Sequence, residues 1–534
     1  MIRRGLKQQA HRRVRLLFFR AGGGRNGARR QEAGRPERGK EGAEMHLVGR
    51  KCILSPEALK KPGKPLEWRC NLKKGSVNVM GLVLFALLSV SEIVLAFLGR
   101  GKEKSKKRWL KGRLFVRTAQ LAAVLIALLL PGGQKWRLVP ALGLLAVLLA
   151  VAAVKWLRGR GREDAEKKAG SVVASCVLSI LFLTLSLLPA FVFTGYRGLP
   201  VSGRHPIAQA SAILVDRSRT DPFEQDGSFR EVPVHFYYPA DAAAGERFPL
   251  VVFSHGAFGY YESNTSTYRE LVSRGYVVAA LDHPHHAFFT QDTAGKTVLV
   301  DRDFFQTASA LNNSNSFLDP EARFPIFRSW MELRTADMNC VLDALQAAGG
   351  SGALDGAWFL PENNADTILS VLKMTDLTKI GLMGHSMGGA TAIQVGRERS
   401  DVSAVVDLDG TMLGEELGAE NGTYLINQEP YAVPVLEFAN WEQYNDRREY
   451  PALGYLYPND VLLSHAAESY YVTVRDTLHM DFTDLPLLSP TLGKLLGSGE
   501  RGCEETMNVV NGLVREFFDY TLKGEGAFSV QEIY

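Results

Sequence analysis

The stretch KIGLMGHSMGGATAIQVG, residues 379–396, decides how the rest of this chain is read. Lys379–Met383 reads as a short buried strand, and Ala390–Val395 as the opening of a packed helix. Between them, Gly384-His385-Ser386-Met387-Gly388 fits the G-x-S-x-G nucleophile elbow, with a further glycine at 389. A serine held in so tight a strand-to-helix turn needs small neighbours. The turn lifts its hydroxyl out of the sheet, above a helix N-terminus that favours developing negative charge.

Around this stretch, from Pro200 onward, strands and helices alternate. Residues 232–238 (VPVHFYY) alternate as a strand, and Phe248–Ser254 (FPLVVFS) is continuously apolar, as a strand buried on both faces should be. A helix over 268–274, a strand over 276–281 and a helix over 327–347 follow. After the elbow come strands at 404–408, 434–438 and 470–474, and a last helix over 504–522 with Val510, Leu513, Val514, Phe517 and Phe518 on one face. This pattern predicts a doubly wound, mostly parallel sheet, the α/β-hydrolase plan, over 201–534. Residues 285–325 are expected to be a long irregular insertion.

The front of the chain differs. Residues 1–200 hold 39 Lys and Arg against 11 Asp and Glu, whereas 201–534 hold 23 against 46. The basic charge brackets apolar runs rather than forming a nucleic-acid-reading surface, so no nucleic-acid partner is expected. Residues 1–76, rich in Arg and Gly, read as a disordered tail, with Met45 and Met80 as alternative starts. Runs at 77–98, 114–131, 138–156 and 172–195 each approach the ~20 residues that cross a bilayer. They predict a four-helix transmembrane region over 77–196. Arg117 in the second run is expected to snorkel; Glu92 stands alone in the first, where a helix–helix contact or a place near the interface is expected of it rather than a functional role. The 99–113 loop carries eight Lys and Arg and the 155–168 loop six, against two at 132–137. Those two basic loops are therefore expected to be cytoplasmic, which places the catalytic domain outside.

A serine needs a base, and the base an orienting carboxylate, in the chain order Ser, acid, His. Asp409 lies just past the strand at 404–408, on the rim of the elbow, and is favoured over Asp407 within the strand and Glu437 on the next. His479, in the loop after the strand at 470–474, is favoured as base over His465. Oxyanion donors are expected from the amide of Met387 and from the turn Ser254-His255-Gly256-Ala257-Phe258-Gly259, where Ala257 is the choice. Asp282-His283-Pro284-His285-His286 has no metal-ligand spacing and reads as a rim loop; no metal or cofactor is expected. Arg334 and Asp337, three residues apart on a helix, read as a surface pair. Cys340 and Cys503 are expected to be unpaired.

With these residues in place, residues 230–520 resemble the platelet-activating factor acetylhydrolase family, of dienelactone-hydrolase-type α/β-hydrolases. The resemblance rests on PLVVFSHG (249–256), GHSMGGATAIQ (384–394), the Asp closing VVDLDG (405–410) and HMDFTD (479–484). It implies Ser386 as nucleophile, Asp409 as acid, His479 as base, and Ala257 and Met387 as oxyanion donors. It further implies carboxylic esters, short-chain or phospholipid, as substrates, while the membrane bilayer is expected as a partner from the four apolar runs. The four apolar runs are not implied by the family. An acyltransferase, or a membrane scaffold with a vestigial hydrolase domain, are the competing readings.

Overall fold

Apolar length dominates the first part of the structure. A computed structural model describes residues 44–47, 50–53, 79–100, 105–130, 135–159, 169–193, 196, 198–312, 319–361 and 364–534. Within the stretch expected to be disordered, Glu44–Leu47 and Arg50–Ile53 pair as an antiparallel hairpin. The remainder of 1–78 lies outside the described residues.

Helices α1 (Val79–Arg100), α2 (Lys106–Leu129), α3 (Val139–Gly159) and α4 (Ala169–Val192) follow. Each is long and apolar enough to cross a membrane. They pack on Leu88, Val124, Leu145 and Leu183, while Leu87, Ile126, Val147 and Phe182 face outward. Two expectations change here. Helix α2 starts at Lys106, eight residues earlier than the apolar run suggested, so Arg117 lies inside the helix rather than near its end. Nor does Arg117 snorkel: it is fully buried against Glu92, whose pairing across two helices is the helix–helix contact expected of that carboxylate. Arg117 also donates to Gln120 at 2.6 Å and Ser179 at 2.7 Å, and Gln120 Nε2 donates to Glu92 at 2.9 Å. Inside a bundle with its partners at hand, the guanidinium is better satisfied inward than by stretching to the surface.

Breaking such a pair strands one buried charge, whereas removing both does not. Glu92→Leu or Arg117→Leu alone is expected to cost about 3–5 kcal/mol, and the double variant to recover most of it. Thermal unfolding in detergent reads this; a double variant as unstable as the singles would refute it.

The second part is built on a nine-stranded sheet. Strands β1 (Ile207–Thr220), β2 (Phe229–Pro239) and β3 (Phe248–Ser254) precede helix α5 (Thr265–Ser273) and β4 (Val277–Leu281). A hairpin of β5 (Phe289–Gln291) and β6 (Thr297–Leu299) leads to α6 (Arg302–Asn312) and the long α7 (Pro320–Ser351). Then come β7 (Trp358–Phe359), α8 (Ala365–Met374), β8 (Thr375–His385), α9 (Met387–Glu398) and β9 (Val402–Leu408). A second hairpin, β10 (Glu416–Glu420) and β11 (Thr423–Ile426), precedes β12 (Val435–Ala439), α10 (Trp441–Arg447), α11 (Pro458–His465) and β13 (Ser469–Thr473). Short helices α12 (Leu485–Leu488) and α13 (Pro490–Leu496) and the closing α14 (Cys503–Phe518) end the fold.

The strand order is β13-β12-β9-β8-β3-β4-β2-β1-β7. The six strands from β13 to β4 are parallel, and β2, β1 and β7 run antiparallel to their neighbours. This is the α/β-hydrolase fold. Period-two alternation divides the core: Leu250 and Val252 of β3 face α7, α8 and α9, while Val251 and Phe253 face α5 and α14. Strand β1 has no counterpart in the sequence reading, and pairs with β2 along its length. The 285–325 insertion is more ordered than expected: it contains the β5–β6 hairpin, α6 and the first turns of α7. Cys340 and Cys503 carry no disulfide.

The two parts meet at the head of α13. Ser489, at the head of α13, donates its hydroxyl to Val192 O at the end of α4, at 2.6 Å. Leu199, Leu487 and Met507 bury one another beside that bond.

Candidate active site

Ser386 stands between β8 and α9 with φ of 56°, a left-handed value that a non-glycine residue adopts only under constraint. The constraint is close packing. A Cβ on Gly384 would lie 2.1 Å from the carbonyl of Gly388, and one on Gly388 would lie 2.0 Å from Ser254 O. Neither position admits a side chain, which is the physical content of the two glycines. The turn leaves Ser386 partly exposed while its neighbours on both sides are buried.

Asp409 lies beyond the end of β9, also at positive φ (60°), and its carboxylate is fully buried. It accepts from the Asn440 amide N–H at 2.6 Å and from Asn440 Nδ2 at 2.9 Å. His479 donates its Nδ1–H to Asp409 Oδ2 at 2.6 Å, with its side chain 42% exposed. The imidazole lies against His385, the residue before Ser386, with ring centroids 4.7 Å apart and the planes tilted by 36°. His385 in turn donates to His479 O at 3.2 Å, so the His479 loop is fastened to the elbow.

The rival acids have other partners. Asp407 accepts from Gly410 N–H at 3.0 Å beneath the elbow, where a Cβ on Gly389 would come within 1.8 Å of its carboxylate. Burial, then Glu437 and Asp409, push the Asp407 carboxyl well above its usual range, which favours its neutral form. Glu437 is held by Arg447 at 2.7 Å and Asn459 at 2.7 Å. His465, at the end of α11, bonds Val461 O.

The Ser254–Gly259 turn presses onto Ser386. A Cβ on Gly256 would meet His385 Nδ1 at 2.8 Å and the Ser386 Cβ at 3.2 Å. The Phe258 amide is committed to His286 O at 3.1 Å. Ala257 and Met387 join one apolar cluster with Phe258, Phe304, Trp330 and Met331, the wall next to the serine.

Behind this turn lies a polar network that the sequence reading placed elsewhere. Arg334 and Asp337 are not a surface pair: both are fully buried on the sheet side of α7. Arg334 donates to His255 O at 2.6 Å, Gly256 O at 3.3 Å and His286 Nδ1 at 3.3 Å. Asp337 accepts from Arg230 at 2.8 Å and from His283 Nδ1 at 3.0 Å, and Ser254 donates to His283 Nε2 at 2.8 Å. Burial would raise the Asp337 carboxyl, but Arg230 and the His283 N–H outweigh it and hold it well below the usual range. Burial and Arg334 lower His283 to about 3 and keep it neutral. Burial lowers Arg334 to about 9, so it remains a cation at neutral pH. The signal was present in α7: Met331, Arg334, Thr335, Met338, Val341, Leu342 and Leu345 form one helical stripe, and Arg334 falls within it.

Against known proteins, the model of the family "Platelet-activating factor acetylhydrolase, isoform II" matches residues 229–528. The chain belongs to this family. Among curated relatives, the platelet-activating factor acetylhydrolase of Cavia porcellus is 24% identical over 287 residues, covering 50% of this chain and 56% of its own length. That of Canis lupus familiaris is 26% identical over 262 residues, covering 47% of this chain and 51% of its own length. The chain thus spans about half the length of the curated relatives it matches. A solved ferulic acid esterase from Streptomyces cinnamoneus aligns over 61% of this chain and 93% of its own, at 24% identity and a TM-score of 0.43.

In this member of the acetylhydrolase family, the last residue of the HMDFTD segment has a definite task. Asp484 accepts from the Ser266 N–H and hydroxyl, both at 2.6 Å, which fastens the His479 segment to the first turn of α5. Burial raises Asp484 to about 7 against an ordinary 3.8, only partly opposed by the Ser266 bonds. The folded state therefore keeps a proton that the unfolded chain has released, and its stability falls as pH rises through that window. An asparagine is neutral throughout. Relative to wild type, Asp484→Asn is expected to gain stability between about pH 4 and 7, by up to about 1.4 kcal/mol per pH unit, and to level off above. Thermal midpoints of both proteins across pH 4–8 test this; parallel curves would refute it.

Proposed function

We propose that the protein is a membrane-anchored serine hydrolase that cleaves carboxylic esters, short-chain or phospholipid, through an acyl-enzyme. The observation that carries this reading is the 2.6 Å bond from His479 to the buried Asp409 carboxylate beside the strained Ser386 turn. In this mechanism Ser386 Oγ attacks the ester carbonyl while His479 Nε2 takes its proton. Asp409 holds the Nδ1–H tautomer and stabilises the imidazolium. The tetrahedral oxyanion is received by the Ala257 and Met387 amides above the N-terminus of α9. Its collapse expels the alcohol, which takes the proton back from His479. Water, activated by the same imidazole, then releases the acid and frees Ser386.

Phospholipid esters as substrates are supported by the named activity of the curated relatives and by the apolar wall of Phe304, Trp330 and Met331. Attachment of the domain to α4 through Ser489 would keep the site near the bilayer. The basic loops at 99–113 and 155–168 support a four-span arrangement with those loops cytoplasmic and the catalytic domain outside.

The full chain in detergent, assayed on esters of increasing acyl length and on short-chain phospholipids, tests the reaction. Free acid as product supports hydrolysis, whereas transfer to an added alcohol in preference to water would make the protein an acyltransferase. Digestion of intact cells by an external protease tests sidedness: the domain should be cut from outside, and its protection would reverse the topology.

A further inference from the structure

The oxyanion turn lies on a buried cation. Arg334 is fully buried and forms no ion pair with any described residue; its three hydrogen-bond partners are two carbonyl oxygens and an imidazole. An unpaired buried guanidinium is costly to a fold, and this one spends its donors on His255 O and Gly256 O, the carbonyls that lead into Ala257. A peptide unit is planar, so the carbonyl of Gly256 and the N–H of Ala257 point in opposite directions on one rigid plate. Gly256 O also accepts from His255 Nδ1 at 2.7 Å and from the Gly259 amide at 3.1 Å. With these three donors holding the carbonyl end, the N–H end points the other way, and Gly256 itself lies against the elbow, where an added Cβ would come within 3.2 Å of the Ser386 Cβ. A cation on the carbonyl also polarises the peptide and strengthens its N–H as a donor.

The turn is gripped from its other end through the same side chain. Arg334 Nε donates to His286 Nδ1, the His286 ring stacks on Phe304 at 3.7 Å, and His286 O accepts the Phe258 amide. Arg334 thus holds the carbonyl end of this segment directly and reaches its Phe258 end through His286, with a planar fork that an ammonium cannot match.

We propose that Arg334 is the positioning residue of the oxyanion hole: from α7 it orients and polarises the Gly256–Ala257 peptide so that the Ala257 amide meets the developing oxyanion. This rests on the hydrolase reading above. Arg334 touches no reacting atom, and it acts on the transition state alone.

The test uses the full chain in detergent, as wild type, Arg334→Met and Arg334→Lys. Arg334→Met should lower kcat by about 100-fold with KM within about twofold, the signature of a lost oxyanion interaction. Arg334→Lys, which keeps the charge and serves one carbonyl, should lose about tenfold. Affinity for a trifluoromethyl ketone, which forms a tetrahedral adduct with the serine, should fall in step with kcat. Hydrogen exchange at the Phe258 and Gly259 amides should accelerate while the sheet strands remain protected. If Arg334→Met fails to fold, Arg334→Lys carries the same comparisons. Unchanged kcat, a rise in KM alone, or unaltered exchange at 258–259 would overturn the proposal. A wild type that neither hydrolyses esters nor binds the ketone would overturn the hydrolase reading instead, and the exchange comparison would still report whether Arg334 holds the turn.

Discussion

Ser386→Ala is expected to lower kcat on any ester the wild type cleaves by about six orders of magnitude, with KM nearly unchanged. The substitution removes one oxygen from a turn whose geometry is set by Gly384, Gly388 and Ser254 rather than by the serine side chain. Folding should therefore survive, with a thermal midpoint close to that of wild type. Residual turnover of about 10³–10⁴ over water is expected from the oxyanion donors and substrate binding alone. Steady-state kinetics of the purified variant, with a fluorophosphonate label to score the nucleophile, measures this. Retention of more than a hundredth of wild-type activity would assign the nucleophile to another residue.

Asp409→Asn is expected to lower kcat by about 10⁴ while preserving the fold. Three donors converge on this carboxylate: the Asn440 backbone N–H, Asn440 Nδ2 and His479 Nδ1. A carboxylate offers two oxygens to them, whereas an amide offers one and brings two N–H donors of its own. If the amide oxygen remains on Asn440, its NH₂ faces His479 and forces the imidazole to accept at Nδ1. The proton then sits on Nε2, the nitrogen that must take one from Ser386. Asp407→Asn should not reproduce this loss, because Asp407 bonds Gly410 rather than the histidine. Equal losses in the two variants, compared by kcat at the pH optimum, would argue against Asp409 as the orienting acid.

These expectations lean unequally on the sequence. The elbow, the parallel strands and the four apolar helices are local patterns, and a chain displays such patterns directly. Ser386 between glycines, FPLVVFS and the long apolar runs each state their environment through periodicity or steric demand within a few residues. The choice of Asp409 over Asp407 was also legible, because the end of a strand is where the rim of a parallel sheet lies. Its pairing with His479 joins residues 70 apart and is a property of the folded rim.

What the sequence by itself determined was therefore the kind of fold and the short list of residues from which a nucleophile and its partners are proposed. Tertiary structure alone decided where charge is buried. Glu92 and Arg117 lie 25 residues apart, and Arg334 and Gly256 lie 78 apart. Sequence spacing carries no information on such meetings, and a lone charged residue on a helix is by default a solvated one. Arg117 and Arg334 both defied that default for one physical reason. A guanidinium can be held out of water when the fold brings fixed acceptors to its fork, and those acceptors come from distant elements that only packing brings together.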